Sequence, residues 1–150
     1  MGVPGERKKE TVLFVCSFNS VRSQIAEGLL RHCSGDRFTV DSAGIAPAGL
    51  NPRSVKVMAE IGIDISQQRS RSIREFEGRE FDYLVILCPH AKTAVPALPV
   101  AGNVLFREFA SPDELGMDEE ATMAGFRRLR DGIRAWLFKI FPSVPEKNPE

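Results

Sequence analysis

Cys16 stands where an apolar run meets a helix-like pattern, in VLFVCSFNSVRSQIAEGLL, Val12 to Leu30, with Arg22 and Ser23 following closely. A thiol at such a bend faces the backbone N–H groups of a tight loop and of a helix start, a combination biased toward negative charge. The same field favours the thiolate, and a cationic Arg22 adds to it, so Cys16 reads as a nucleophile at neutral pH. Ser23 can donate a hydrogen bond to that thiolate or to a leaving sulfur. Arg22 offers a planar fork matched to two oxygens of a tetrahedral oxyanion, which lysine lacks. The oxyanion would rest on the backbone of Ser17, Phe18, Asn19, Ser20 and Val21 and on Arg22. Taken singly, each residue has a plainer reading, with Cys16 filling a strand end and Arg22 solvated. An arginine in a first helical turn opposes the helix dipole, however, and a bound anion resolves that conflict. Neither GxxxxGK[ST] nor GxGxxG occurs, so other phosphate loops fit worse.

The elements that must position this loop follow from periodicity. TVLFVC, Thr11 to Cys16, is a continuous apolar, β-branched run, as in a parallel strand buried on both faces. After it, Ile25, Ala26, Leu29, Leu30 and Cys33 recur at helical spacing as far as Ser34-Gly35. RFTVDSAG, Arg37 to Gly44, predicts a second strand. Asn51-Pro52 opens a helix as N-cap and first residue, turning Val55, Met58 and Ala59 inward until Gly62. FDYLVILC, Phe81 to Cys88, predicts a third strand, and NVLFREF, Asn103 to Phe109, a fourth. Asp118, Glu119 and Glu120 suit the positive N-terminus of a last helix whose buried stripe is Phe126, Leu129, Ile133, Trp136 or Leu137, and Ile140. Strands alternating with helices imply an α/β fold with a doubly wound parallel sheet, which binds ligands beyond the carboxyl ends of its strands. Cys16 falls there.

Bulk composition narrows the field. A chain of 150 residues suits one domain, expected over 11–141, with flexible tails at 1–10 and 142–150. Composition is ordinary, at 43% apolar and 27% charged residues, and no run is long enough to span a bilayer, so no membrane partner is expected. Twenty acidic residues balance twenty basic ones, which argues against nucleic acid and for a small anion or a protein as partner. The N-terminal MGVPGERKKE has no apolar core of a secretion signal, and residue 6 is Glu where myristoylation wants Ser or Thr, so a cytoplasmic location is expected. Three cysteines without a CxxC pair cannot all pair within the chain and lack zinc-site spacing, so no metal and no cofactor is expected.

CSFNSVRS, Cys16 to Ser23, resembles the Cys-x5-Arg-Ser loop of the low-molecular-weight protein tyrosine phosphatase family, and SQIAEGLLR is similar to its thioredoxin-coupled arsenate reductases. The likeness runs through VDSAG, NPRSVKVMAEIGIDIS and FDYLVILC to FRRLRDGI. It implies a flavodoxin-like, four-stranded parallel sheet with helices on both faces. It also implies Cys16 as nucleophile, Arg22 as oxyanion clamp, Ser23 as thiolate partner and Asn19 as the residue that holds the loop's shape. Where many relatives carry a second loop cysteine this chain has Val21, so no disulfide within the loop can protect Cys16. Related reductases bind a monovalent cation behind the loop; Asn19, Glu27 and Ser42 match three ligand positions, but Arg71 takes the place of an Asp. Arg71 is then expected either to replace the ion by pairing with Glu27 or to be a surface charge.

Hydrolysis of a phosphomonoester needs a general acid for the leaving alkoxide, which the family supplies from an Asp-Pro pair. This chain reads FASPDE there, with Ser111 before Pro112, so the role would fall to an off-register Asp113. Losing a general acid costs about 10²- to 10⁴-fold in rate. Arsenate reduction instead needs a second thiol. Cys88 is the candidate, ending a strand expected beside that of Cys16; neighbouring strands lie about 4.8 Å apart. Its plain alternative is a small buried hydrophobe. The third cysteine of thioredoxin-coupled relatives is here Val95, followed by Pro96, so the internal relay is shortened. Cys33 belongs to the helix stripe. His90, near Cys88, offers a proton donor or acceptor. The sequence thus points to a thiol-dependent arsenate reductase acting on arsenate or phosphate-like oxyanions, with thioredoxin or a small thiol as reductant. The alternatives are a phosphomonoesterase using Asp113 and a non-catalytic oxyanion-binding module.

Overall fold

A computed structural model describes residues 8–92, 99–116 and 118–141. Four parallel strands form one sheet in the order β2-β1-β3-β4, with β1 Glu10–Cys16, β2 Phe38–Gly44, β3 Glu80–Ile86 and β4 Val100–Phe106. The helices are α1 Arg22–Ser34, α2 Pro52–Ala59, α3 Pro89–Lys92 and α4 Glu119–Ile140, with a short 3₁₀ turn at Ile73–Phe76. This is the flavodoxin-like parallel α/β architecture expected from the alternation of elements.

The central strand explains the apolar run. β1 is flanked by β2 and β3, and Val12, Leu13, Phe14 and Val15 are wholly buried, so both faces must be apolar. Residues 22 to 30 of α1 are also all buried, because α1 lies on the sheet beside β2 and is covered by α2 and α4. Burying each large side chain there contributes about 1.5–3 kcal/mol, which fixes β1 and α1, and with them the loop between, as one rigid unit.

Two elements differ most from the sequence reading. β4 is shifted to Val100–Phe106, in register with Glu80–Ile86. It is an edge strand, so Gly102 and Asn103 are tolerated inside it, and beyond Phe106 the N–H groups of Arg107 and Phe109 still donate to the Ile86 and Leu87 carbonyls at 3.0 Å. Phe109 packs on Trp136, at 5.8 Å between ring centroids. In α2, Ser54, Val57 and Met58 are the buried side chains, while Ala59 is exposed, so the inward stripe is rotated from the one expected. In α4, of the two residues the stripe allowed, Leu137 is the buried one. The α4 N-terminus is as expected: Asp118 accepts from the Ala121 N–H at 2.8 Å, with Glu119 and Glu120 in the first turn. Val95, Pro96 and the tail from residue 142 lie outside the described residues.

Candidate functional site

The sheet order reverses between β1 and β3, since β2 lies on one side of β1 and β3 on the other; ligands of open parallel sheets bind at such a crevice. Cys16 ends β1 at that point, opposite Gly44 of β2. The loop that follows is held by its carbonyls. Those of Cys16, Ser17, Phe18 and Ser20 accept from the N–H groups of Ile45, Ala46, Ala48 and Asn51 at 2.8–3.2 Å. The N–H groups of Ser17–Ser23, by contrast, donate to no protein acceptor among the described residues. Val21 precedes α1 without a side-chain cap, and no acidic residue occupies the first turn. A row of free amides running into an uncapped helix start is an anion cradle.

Asn19 shapes the loop. Its backbone is left-handed, at φ 46°, a conformation asparagine tolerates better than most residues. Its side chain is fully buried and fully used: Nδ2 donates to Ser23 Oγ at 2.7 Å and to Ser42 Oγ at 2.9 Å, and Oδ1 accepts from the Arg71 N–H at 2.8 Å. Gln24 Nε2 donates to the Asn19 carbonyl at 3.0 Å. Ser23 Oγ in turn lies 2.9 Å from Cys16 Sγ. Cys16 is buried among these polar groups at the foot of the loop, 1% exposed.

Arg22 is 9% exposed, and its Nη1 donates to the Phe109 carbonyl at 3.1 Å. No carboxylate of the described residues lies within ion-pair distance of it. An unpaired buried guanidinium costs several kcal/mol, which a bound anion would offset. Arg22 lines an open hollow of about 450 Å³ together with Ser17, Cys88, Pro89 and His90. Cys88 is buried there, 3.2 Å from Ser17 Oγ and 3.4 Å from the Ala91 nitrogen, and neither it nor Cys16 is in a disulfide. Cys33 is half-buried against the core. A larger hollow, about 520 Å³ between α1 and residues 63–71, holds neither Cys16 nor Arg22; size here does not mark the thiol chemistry.

Asp113 lies elsewhere. It is exposed, accepts from the Leu115 N–H at 2.9 Å, and lines a separate hollow with Ser111, Pro112 and Arg128. Its neighbour Glu114 is held by Arg53 at 2.6 Å, tying this loop to α2.

The expected Arg71–Glu27 pair does not form. Arg71 pairs with Asp41 at 3.0 Å and lies over the Phe76 ring, while Glu27 pairs with Arg31 one helical turn along. Helical i,i+4 spacing puts Arg31 within reach without any tertiary rearrangement. The cation set of related reductases does not fit here. Both Glu27 oxygens are taken, by Arg31 and by the Ser42 hydroxyl, and Asn19 turns its amide donors toward Ser42.

Three contributors escaped the sequence reading. Gly44 packs against the loop backbone so closely that an added Cβ would lie 2.8 Å from the Asn19 nitrogen. Gln24 stitches Asn19 to the Arg69 carbonyl, and the Phe109 carbonyl orients Arg22. A glycine closing a strand was a usable signal for the first. The carbonyl of a distant Phe109 gave none.

An open parallel α/β sheet with a cysteine and a Cys-x5-Arg loop at its switch point defines a class of enzymes that handle oxyanions through sulfur. Within it, the chain belongs to the low molecular weight phosphotyrosine protein phosphatase family, whose model matches residues 11–148. It is 42% identical over 125 residues to an arsenate reductase of Halalkalibacterium halodurans, covering 83% of this chain and 90% of that protein. Among solved structures it resembles an arsenate reductase in the phosphate binding state, with a TM-score of 0.73 at 28% identity over 91% of this chain and 99% of that one. It also resembles a thioredoxin-dependent arsenate reductase of Corynebacterium glutamicum, with a TM-score of 0.63 at 26% identity over 90% of this chain and 63% of that one.

Proposed function

We propose that this protein reduces arsenate to arsenite with Cys16 as nucleophile and Cys88 as resolving thiol. The observation that carries the reading is that Cys88, Ser17 and Arg22 share one hollow at the switch point, whereas Asp113, the carboxylate that acid catalysis would use, lines another. The amides of Ser17–Ser23 and the Arg22 fork hold the oxyanion's oxygens, and Ser23 donates to the attacking sulfur. The Cys16 thiolate attacks arsenic, an S–As bond forms, and an oxygen protonated from solvent leaves as water. The Cys88 thiolate then attacks Cys16 Sγ; the S–S bond forms as the S–As bond breaks, and its electron pair passes to arsenic, now arsenite. An external dithiol of the thioredoxin class, or a small thiol, returns the Cys16–Cys88 disulfide to two thiols. Nothing in this sequence of steps requires nucleic acid or a membrane, and among the described residues no helix is long and apolar enough to cross one. The reducing cytoplasm supplies the thiols the cycle consumes, and the working unit is the single domain 11–141.

The test is arsenite formation from arsenate with thioredoxin or with a small thiol. Cys16→Ser should abolish it. Cys88→Ser should lower thioredoxin-supported turnover by about 10²-fold or more while leaving Cys16 able to be alkylated. Hydrolysis of an aryl phosphate that is lost in Asp113→Asn, without arsenite formation, would replace this reading with a phosphomonoesterase.

A further inference from the structure

The hydrogen bonds behind the loop have a direction, and it can be read from donors and acceptors alone. A backbone N–H only donates, so the Arg71 N–H fixes Asn19 Oδ1 as the oxygen facing it and Nδ2 as the atom facing Ser23 and Ser42. Ser42 Oγ therefore accepts from Asn19, and its own hydrogen goes to Glu27 Oε1. Ser23 Oγ likewise accepts from Asn19, and among the described residues its hydrogen has one acceptor, Cys16 Sγ. The chain of contacts thus runs from Glu27 through Ser42, Asn19 and Ser23 to Cys16, with every proton placed.

Glu27 is 3% exposed, a deep position for a carboxylate, and Arg31 supplies its counterion from the rim, donating as well to the Val40 carbonyl at 2.6 Å. A carboxylate is an obligate acceptor. It compels the Ser42 hydroxyl to donate to it, keeps the Ser42 oxygen free to receive Asn19, and so holds the amide whose other hydrogen occupies Ser23 Oγ.

We infer that Glu27, with Arg31 as its counterion, is a positioning residue for the nucleophile: by taking the Ser42 hydrogen it leaves the Ser42 oxygen to receive Asn19, whose amide the Arg71 N–H already orients, and so steadies the relay that aims the Ser23 hydroxyl at Cys16. The built-in Arg31 charge does this from within the chain, with no bound cation. The inference rests on the reading of Cys16 as nucleophile, but its test requires no arsenate, so the two fail separately.

The experiment is a double-mutant cycle on the rate at which iodoacetamide alkylates Cys16 at pH 7, followed by mass spectrometry of the peptide containing Cys16. Glu27→Gln keeps the shape and can turn a donor toward Ser42, so it should slow alkylation by about 3- to 10-fold. Ser23→Ala should slow it at least as much. In the Ser23→Ala background, Glu27→Gln should have no further effect, because the last link is already gone. Equal slowing by Glu27→Gln with and without Ser23, or no slowing in the parent protein, would overturn the inference. Should Glu27→Gln fail to fold, Ser42→Ala, which removes one hydroxyl and no charge, breaks the same relay and must give the same cycle.

Discussion

Gly44→Ala tests how closely the sheet supports the oxyanion loop. A Cβ built at Gly44 lies 2.8 Å from the Asn19 nitrogen, 2.9 Å from its Cβ and 2.9 Å from the Phe18 carbonyl carbon, where ordinary contact begins near 3.4 Å. All three atoms belong to the loop's backbone or its first side-chain carbon, so no flexible side chain can swing aside. Gly44 itself is pinned, its N–H donating to the Arg71 carbonyl at 2.8 Å and its neighbour Ile45 to the Cys16 carbonyl at 3.2 Å. The loop must recede instead, by about half an ångström, and a misplacement on the order of 1 Å in a reacting site costs about 10²-fold. We expect phosphate affinity and arsenate reduction to fall by roughly 10- to 100-fold, and stability by about 1–3 kcal/mol, the usual cost of overpacking. The assay is calorimetric titration with inorganic phosphate beside thermal unfolding. Gly132→Ala is the control, since the nearest atom to its added Cβ is a Phe109 ring carbon at 3.8 Å, and a helical glycine replaced by alanine gains about 0.5–1 kcal/mol. If Gly44→Ala binds phosphate like the parent protein, the loop is not supported as described.

Other outcomes follow from the same geometry. Arg22→Lys keeps the charge but loses the fork and its bond to the Phe109 carbonyl, so phosphate affinity should drop by about 10-fold or more, measured by the same titration. The hydrogen bonds from Arg127, then from Arg130, hold the Glu60 carboxyl at about 2, below its ordinary 4.5. A depressed carboxylate contributes stability that is complete above about pH 4.5 and is lost as pH falls toward 2. Discounted for the solvent that reaches this half-exposed group, the loss is about 1 kcal/mol. Glu60→Gln should remove that part of the acid dependence in urea titrations between these pH values, and an unchanged slope would count against the α2–α4 link.

The parts of the fold legible in the sequence are those where local pattern and tertiary environment agree. β1 reads as a buried strand because both of its faces are covered, and α4 reads as a helix because Asp118 and the acids behind it start it and a regular stripe continues it. β4 was misplaced because an edge strand needs only one partner and so admits Gly102 and Asn103, residues that elsewhere signal a turn. In the candidate site, the grouping of Cys16, Arg22 and Ser23 was legible because the Cys-x5-Arg-Ser spacing sets all three around one short loop. Of the two alternatives the sequence leaves for Arg71, the pairing with Glu27 gives way to Arg31, which stands at i,i+4 and reaches Glu27 within one helix. Gly44 and the Phe109 carbonyl act only through contacts between elements distant in the chain, and no single stretch of sequence records them.

The central claim is that Cys16 lies within an oxyanion cradle made of loop amides and Arg22. Its most direct measurement is the rate of Cys16 alkylation as inorganic phosphate is added at constant pH and ionic strength. Phosphate seated over the sulfur should slow the reaction saturably, with Cys33 unaffected and the effect lost in Arg22→Ala. Alkylation of Cys16 that proceeds at one rate whatever the phosphate concentration would contradict the account.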